Sequence, residues 1–236
     1  MISYRINKIM NKGKFIVIDG LDGSGKGTQF RILVEKLKEL GHDIAEVDFP
    51  RYGEPSAVFV ERYLRGEFGS ADEVKPKAAS IFYALDRFGA KKEMRNDLEK
   101  GKILISNRYV SSNQGHQAGK IKDPEKRKEF LNWLDELEYE IFGIPRPDLG
   151  LFMDVSPEIG QKLVDGKEVR EYTHGKKRDI HEDDLNHLEN AYQAYQELIA
   201  SDSAWEKIDC VQDGKIKSIE DISELVLKRV LELIKD

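Results

Sequence analysis

Short apolar runs along the chain alternate with stretches in which apolar residues recur every three or four positions. The apolar runs predict five β-strands, over residues 15–19, 44–49, 103–106, 149–155 and 205–211. The periodic stretches predict helices over residues 28–40, 55–66, 76–99, 122–142, 157–165, 185–199 and 219–234. Because strands alternate with helices, we expect an α/β fold with a five-stranded parallel sheet flanked by helices.

A glycine-rich loop joins the first predicted strand to the first predicted helix. Residues 20–28 contain the complete Gly-x4-Gly-Lys spacing of a phosphate-binding loop. Backbone N–H groups of such a loop cradle phosphate oxygens, and Lys26 supplies a positive charge for the β- and γ-phosphates. An ordinary strand-to-helix turn does not need this spacing, so the loop predicts a P-loop NTPase fold. The residues expected to bind the nucleoside triphosphate are Gly20, Leu21, Asp22, Gly23, Ser24, Gly25, Lys26, Gly27 and Thr28.

One position of the loop departs from the usual pattern. A Ser or Thr normally follows the Lys and binds Mg²⁺ through its hydroxyl, whereas Gly27 stands there in this chain and Thr28 comes next. The Gly-Lys-Gly-Thr variant resembles the loop of nucleoside monophosphate kinases, in which Mg²⁺ is held largely by the nucleotide and by waters. We therefore expect Mg²⁺ to contact this chain mostly through phosphates and waters.

Arginine and aromatic residues gather where predicted strands end and on one predicted helix. Arg51 follows the second strand, where it either binds a second phosphate or faces solvent in a turn. Tyr83 and Arg87 lie four residues apart, a spacing that suits a flat heterocycle and also ordinary core packing. Arg108 and Asn113 follow the third strand, and the amide of Asn113 offers the donor and the acceptor that a base edge requires.

A basic segment over residues 166–180 is predicted to be a lid. Its cations, which lie between glycines, are Lys167, Arg170, Lys176, Lys177 and Arg178. A mobile flap of this kind closes over phosphates, excludes water and stabilises the charge of the transferring group. Because Glu168, Glu171 and Asp179 partly offset the positive charge, a solvated loop stays open as an alternative.

Composition and charge limit the classes of function. The chain has 236 residues, 39% of them hydrophobic, and a net charge of −6, which fits one globular domain and argues against a nucleic-acid partner. The single cysteine, Cys210, excludes an internal disulfide and fits the cytoplasm. No apolar run is long enough to predict a membrane span or a membrane partner. We expect an N-terminal extension over residues 1–13 and one kinase domain over residues 14–236.

Five motifs follow one another along the chain: the glycine loop, Phe-Pro-Arg-Tyr-Gly at 49–53, Tyr-Ala-Leu-Asp-Arg at 83–87, Arg-Tyr-Val-Ser-Ser-Asn at 108–113 and Pro-Arg-Pro-Asp-Leu at 145–149. Together they resemble the thymidylate kinase family, whose members phosphorylate dTMP with ATP to give dTDP for dTTP synthesis. Each motif is modest alone, but their order and spacing together are specific. The resemblance implies direct in-line transfer from ATP, Mg²⁺ as a cofactor, and a homodimer formed through helices such as 55–66 and 76–99.

The resemblance also implies a role for each matching position. The implied catalytic residues are Asp22, Lys26, Arg51, Arg108, Arg170 and Arg178. The implied dTMP-binding residues are Asp22, Phe49, Pro50, Arg51, Tyr83, Arg87, Arg108, Asn113, His116 and Gln117. Among them, Tyr83 would stack on thymine, Arg87 would read its O4, and His116 would disfavour a ribose 2′-hydroxyl. Mg²⁺ would approach Asp22 and Glu182, mostly through waters and phosphates.

Two further positions depart from the family pattern. Gly23 stands where some members carry a catalytic arginine, which implies that arginines of the lid take over that role. Asn107 stands where the pattern has Asp, so that an amide replaces a charge that attracts Mg²⁺. Asn107 therefore leaves open a nucleotide-binding regulator with weak catalysis. A kinase for another nucleoside monophosphate also stays open, because Gly27-Thr28 echoes adenylate kinases.

Overall fold

A computed structural model describes residues 12–71, 73–165 and 185–235. Its central sheet has five strands in the order β2-β3-β1-β4-β5, and all neighbouring strands are parallel. The strands are β1 (Phe15–Asp19), β2 (Ile44–Asp48), β3 (Ile103–Asn107), β4 (Leu149–Asp154) and β5 (Trp205–Asp209). The predicted α/β fold with a five-stranded parallel sheet is confirmed.

Helices cover both faces of this sheet. They are α1 (Lys26–Glu39), α2 (Val58–Leu64), α3 (Pro76–Glu99), α4 (Val110–His116), α5 (Pro124–Asp135), α6 (Pro157–Asp165), α7 (Leu185–Ser201) and α8 (Ile219–Lys235). Strand β1 is buried on both faces, because Phe15 and Val17 enter a core with α3, α5 and α7, while Ile16 and Ile18 enter a second core with α1 and α8. This double burial explains why the strand reads as a continuous apolar run.

Several predicted elements differ in extent from the structure. The helix predicted over 55–66 is a 3₁₀ turn over Pro55–Ala57 followed by α2, which ends at Leu64. Helix α1 begins at Lys26 because its N-cap, Gly25, adopts a left-handed φ of 83° that starts the helix two residues early. The stretch 122–142 begins as a helix only at Pro124 and ends in a π-helical turn over Glu136–Ile141. The last strand stops at Asp209, and a hairpin of β6 (Val211–Gln212) and β7 (Lys215–Ile216) follows.

Helix α4 was missed by sequence reasoning because tertiary contacts, not local propensity, hold it. Its residues are Val-Ser-Ser-Asn-Gln-Gly-His, which contain poor helix formers. Ser111 and Ser112 donate hydrogen bonds to Asp19 at the end of β1. Gly115 lies so close to Tyr195 of α7 that a Cβ there would approach the ring to 2.2 Å.

The loops after β1, β2 and β3 leave the sheet at the same edge, because parallel strands all end there. Ligands of open α/β sheets bind at this carboxyl edge. Among the described residues, no helix is both long and apolar enough to cross a lipid bilayer. The division into an N-terminal extension and one domain, and the cytoplasmic location, stay predictions, and the lid segment over 166–180 lies outside the described residues.

Candidate active site

The glycine loop after β1 is closely packed. Gly23 has a φ of 84°, and a Cβ at this position would lie 2.0 Å from the carbonyl oxygen of Gly160 in α6. An L side chain is therefore opposed here both by backbone conformation and by lack of space. In this structure the close approach leaves no room for an arginine at the place of Gly23.

Lys26 is held at the start of α1 and points back into the loop. Its Nζ donates to the carbonyl oxygen of Leu21 at 3.2 Å and to Oδ1 of Asp22 at 3.1 Å. Burial, with the positive charge of Arg108, lowers the pKa of Lys26 to about 8, although Asp22 and Asp19 oppose the shift. A triphosphate beside the amine would add negative charge and favour the protonated form.

Arg108 follows β3 in a strained backbone conformation. Its φ is 64°, which is rare for a residue with a side chain. Two hydrogen bonds hold it, from the Arg108 N–H to the Ile18 carbonyl at 2.9 Å and from the Ser106 hydroxyl to the Arg108 carbonyl at 2.6 Å. The bend directs the guanidinium onto Asp22, with Nη2 2.5 Å from Oδ1. Burial alone would lower the pKa of Arg108, but Asp22 and Asp19 raise it well above its usual value.

Asp19 at the end of β1 connects these parts. Its fully buried carboxylate accepts hydrogen bonds from Ser111, from Ser112 at 2.9 Å and from the Tyr195 hydroxyl at 3.1 Å. Arg108 Nη1 lies 3.7 Å away. Burial and the charge of Asp19 raise the pKa of Tyr195 well above its usual value, so that its hydroxyl stays a donor. The carboxylate therefore joins β1 to α4 and α7.

One cleft of about 720 Å³ contains most of the predicted site residues. The predicted residues that line it are Asp22, Gly23, Gly25, Lys26, Gly27, Thr28, Phe49, Pro50, Tyr83, Arg87, Arg108, Asn113, His116 and Gln117. The lining thus includes both the glycine loop and the residues that the family resemblance assigns to dTMP. Arg170, Arg178 and Glu182 lie outside the described residues, so their roles stay predictions.

Arg51 lines a neighbouring groove and is already engaged. Its Nε donates to Oδ1 of Asp86 at 3.0 Å, and its Nη2 donates to the Ser56 hydroxyl at 2.6 Å and to the Asp86 carbonyl at 3.0 Å. Asp86 is 1% exposed and also accepts from the Arg51 N–H. The predicted contact of Arg51 with the dTMP phosphate stays a prediction.

Arg87 is fixed by a partner that sequence reasoning missed. Its guanidinium makes a two-pronged ion pair with Glu138, with Nε 2.6 Å from Oε2 and Nη2 in contact with Oε1. Burial alone would lower the pKa of Arg87, but Glu138 outweighs it and raises the pKa. Glu138 follows Phe130 and Leu134 at steps of four residues, and all three are buried. A carboxylate at helical spacing from two apolar residues was the sequence signal that could have revealed Glu138 as a buried residue.

Further residues complete the cleft wall around Arg87. The Asn113 Nδ2 donates to the Ser80 carbonyl at 3.2 Å, and Tyr83 packs edge-on against Tyr63 with ring centroids 6.2 Å apart. The Nδ1 of His116 lies 3.4 Å from Nε2 of His187 in α7. Among the described residues, the buried Oε1 of Gln117 has no hydrogen-bond partner. An unmet polar atom in the cleft wall is consistent with a polar ligand.

Asp48 and Asn107 lie side by side at the ends of β2 and β3 and also line the cleft. The Asn107 Nδ2 donates to Oδ1 of Asp48 at 2.8 Å. Partial loss of hydration raises the pKa of Asp48, against the opposing effects of the Asn107 hydrogen bond and of Arg108 and Lys26. Asp48 is nevertheless open to solvent within the cleft. Sequence reasoning singled out Asn107 but missed Asp48.

Comparison with known proteins agrees with this geometry. A sequence profile described as Thymidylate kinase matches residues 18–220. A thymidylate kinase from Mycobacterium tuberculosis is 32% identical over 190 residues, which cover 78% of this chain and 85% of that one. A thymidylate kinase from Exiguobacterium sp. is 28% identical over 204 residues, which cover 85% of this chain and 91% of that one.

The fold has a counterpart among solved structures. The structure of a thymidylate kinase from Candida albicans superposes with a TM-score of 0.70 at 22% identity, covering 95% of this chain and 93% of that one. This likeness supports the fold, while the sequence matches support the closer relationship. With its glycine loop, its arginines and the profile match over residues 18–220, the chain belongs to the thymidylate kinase family.

Proposed function

We propose that this chain transfers the γ-phosphoryl group of ATP to dTMP and so produces dTDP, a precursor of dTTP. The observation that carries the proposal is that one and the same cleft is lined by the glycine loop with Lys26 and by the buried Arg87 and Asn113. Arg108 also lines it and is hydrogen-bonded to Asp22 of the loop. A phosphate-binding loop and a polar pocket for a flat base in one cleft suit a nucleotide donor and a nucleotide acceptor.

The proposed reaction needs no nucleophilic side chain. An oxygen of the dTMP phosphate attacks the γ-phosphorus of ATP, and a new P–O bond forms as the bond to the β–γ bridging oxygen breaks and ADP leaves. Lys26 and Arg108 supply positive charge and alignment to the transferring group. Both cations now contact Asp22, and we expect phosphate oxygens to take over part of that role when substrates bind.

The remaining arginines have proposed supporting roles. Arg51 is preorganised by Asp86 and Ser56, so it reaches an acceptor phosphate only by exchanging some of these bonds. Arg170 and Arg178 are proposed to stabilise the transferring group from the lid, as the family resemblance implies.

We also propose Mg²⁺ as a cofactor, and the described residues fit a hydrated cation. Asp22 and Asp48 offer carboxylates that line the cleft, and the buried Oδ1 of Asn107 lacks a hydrogen-bond partner among the described residues. Hard oxygen atoms and waters are the ligands that Mg²⁺ prefers. When bound, Mg²⁺ would supply positive charge to the triphosphate and so favour transfer of its γ-phosphoryl group. Glu182 is proposed to approach the cation through water.

A homodimer is proposed on an exposed apolar face of α3. Ile81, Leu85 and Phe88 follow one another at helical spacing and are 38%, 36% and 47% exposed. A contiguous apolar face of this kind marks a protein contact, and a second copy is the simplest partner. Light scattering after size-exclusion chromatography should give a dimer mass for the wild type and a monomer mass for Leu85→Glu. Glu93→Lys is the control, because Glu93 is exposed on the same helix but lies off this face. A monomeric wild type would contradict this proposal.

Steady-state ADP release tests the proposed activity directly. The assay contains ATP, Mg²⁺ and one monophosphate from a panel of dTMP, dCMP, dGMP, AMP and GMP. We expect the highest kcat/KM for dTMP, because Arg87 and Asn113 present fixed polar groups rather than a merely apolar slot. Equal kcat/KM for dTMP and AMP would favour a kinase of another monophosphate. ATP binding without ADP release for any member would favour the regulator.

A further inference from the structure

The amide of Asn107 has a fixed orientation that leaves its oxygen without a hydrogen-bond partner among the described residues. An ionised carboxylate can only accept, so the 2.8 Å contact with Oδ1 of Asp48 requires the Nδ2 group of Asn107. The amide oxygen must then point away from Asp48. This Oδ1 is buried, the residue is only 9% exposed, and no hydrogen-bond partner for the atom occurs among the described residues. Burial of an acceptor without a hydrogen-bond partner is unfavourable, so this corner of the site lacks a donor.

The same corner belongs to the phosphate loop. A Cβ on Gly27 would lie 3.9 Å from the Asn107 Nδ2, so the amide lies beside the loop position that usually carries the Mg²⁺-binding hydroxyl. Asp48 adds an exposed carboxylate next to the amide, and Lys26 and Arg108 are near enough to act on it electrostatically. A carboxylate is therefore available on β2 beside an amide on β3.

We propose that Asp48 is the carboxylate that receives the hydrated divalent cation accompanying ATP, and that Asn107 is its positioning residue. This inference rests on the proposed function. Asp48 on β2 supplies the negative charge, and Asn107 on β3 supplies a neutral amide beside it. Aspartates at both positions would place two carboxylates against each other across neighbouring strands, which is unfavourable. A cation-bound water is a donor of the kind that the unmet amide oxygen requires, and Asp48 attracts the cation through its charge.

A binding measurement without dTMP tests the proposal. The dissociation constant of a non-hydrolysable ATP analogue is measured by calorimetry with and without Mn²⁺. The constant without Mn²⁺ divided by the constant with Mn²⁺ is the coupling ratio between cation and nucleotide. We expect Asp48→Asn to reduce this ratio about 10- to 100-fold, the usual effect of losing a group that orients a metal shell. Manganese electron paramagnetic resonance of the same samples should show a matching loss of bound Mn²⁺.

Two further variants make the test specific. Glu46→Gln removes a carboxylate from the same strand and cleft, but Glu46 is paired with Lys38 at 2.8 Å, and we expect the ratio to stay within about twofold of the wild type. The double variant Asp48→Asn/Asn107→Asp moves the charge from β2 to β3 and should restore most of the ratio lost in Asp48→Asn.

The outcomes separate this inference from the proposed function. An unchanged ratio in Asp48→Asn overturns the inference. Tighter analogue binding with no change in Mn²⁺ dependence also overturns it, because it would mean that Asp48 merely repels the triphosphate. Failure of the double variant to regain coupling, with an unfolding temperature equal to that of the wild type, also overturns it. Absence of dTMP-dependent ADP release would refute the proposed function and leave the cation measurement intact.

Discussion

Removal of the Glu138 carboxylate tests how the wall around Arg87 is stabilised. The side chains of this ion pair are 0% and 2% exposed for Glu138 and Arg87. Glu138→Leu leaves a buried guanidinium without its counter-charge, and loss of one partner of a buried pair costs about 3–5 kcal/mol. For a chain of this length, 1 kcal/mol lowers Tm by about 2–4 °C, so we expect Tm to fall by roughly 6–20 °C.

A double variant separates stability from recognition. Arg87→Met/Glu138→Leu removes both charges, and replacement of a buried ion pair by apolar residues is often neutral or stabilising, so most of the lost Tm should return. Recognition of thymine should not return. A hydrogen bond to a charged group contributes about 1.5–3 kcal/mol, which corresponds to a rise of about 10- to 150-fold in KM for dTMP.

Scanning calorimetry measures Tm, and ADP release at varied dTMP measures KM. The KM for ATP is an internal control, since the glycine loop is unchanged. Glu140→Leu is the matched control, because Glu140 lies on the same π-helical turn but is 72% exposed, and we expect its Tm to shift by no more than about 2 °C. An equally small shift in Glu138→Leu, or a double variant with a normal KM for dTMP, would refute the reasoning.

Three further predictions concern the loop and the single cysteine. Lys26→Met should abolish dTMP-dependent ADP release with little change in Tm, and near-normal turnover would contradict the role of Lys26. Gly23→Ala should lower the free energy of unfolding by about 2–4 kcal/mol in chemical denaturation, because φ is 84° and Gly160 leaves no room for a Cβ. Gly41→Ala is the control: its φ is 86° but the space around it is open, so it should lower the free energy of unfolding by only about 1–2 kcal/mol. Burial raises the pKa of Cys210 to about 12. Iodoacetamide at pH 8 should therefore label the native protein at least about 100-fold more slowly than the urea-unfolded protein, and equal labelling rates would contradict the burial of Cys210.

The sequence predicted the sheet and most of the cleft because their signals are local. Strand β1 is an unbroken apolar run, and the glycine spacing of residues 20–28 has one common structural meaning. Helix α4 gave no such signal, since its serines are held by Asp19 from a distant strand.

The helix pattern offered a signal for the buried Glu138, but the pairing of each predicted arginine with its carboxylate was beyond local reasoning. Arg87 and Glu138 are 51 positions apart, and Arg51 and Asp86 are 35 apart, so only the tertiary fold brings each pair together. The π-helical turn that carries Glu138 has no sequence pattern distinct from an α-helix. Asp48 could be recognised only once the register of β2 and β3 placed it beside Asn107.

The carboxylate of Asp19 has a consequence for how the site forms. It collects hydrogen bonds from Ser111 and Ser112 and from Tyr195, residues that follow it by 92, 93 and 176 positions. These bonds can all exist only after the distant segments have docked, so we expect the proposed donor and acceptor pockets to assemble in one cooperative step. Amide protons of α4 should therefore exchange with solvent only as fast as the whole domain opens, and a half-built cleft should never accumulate.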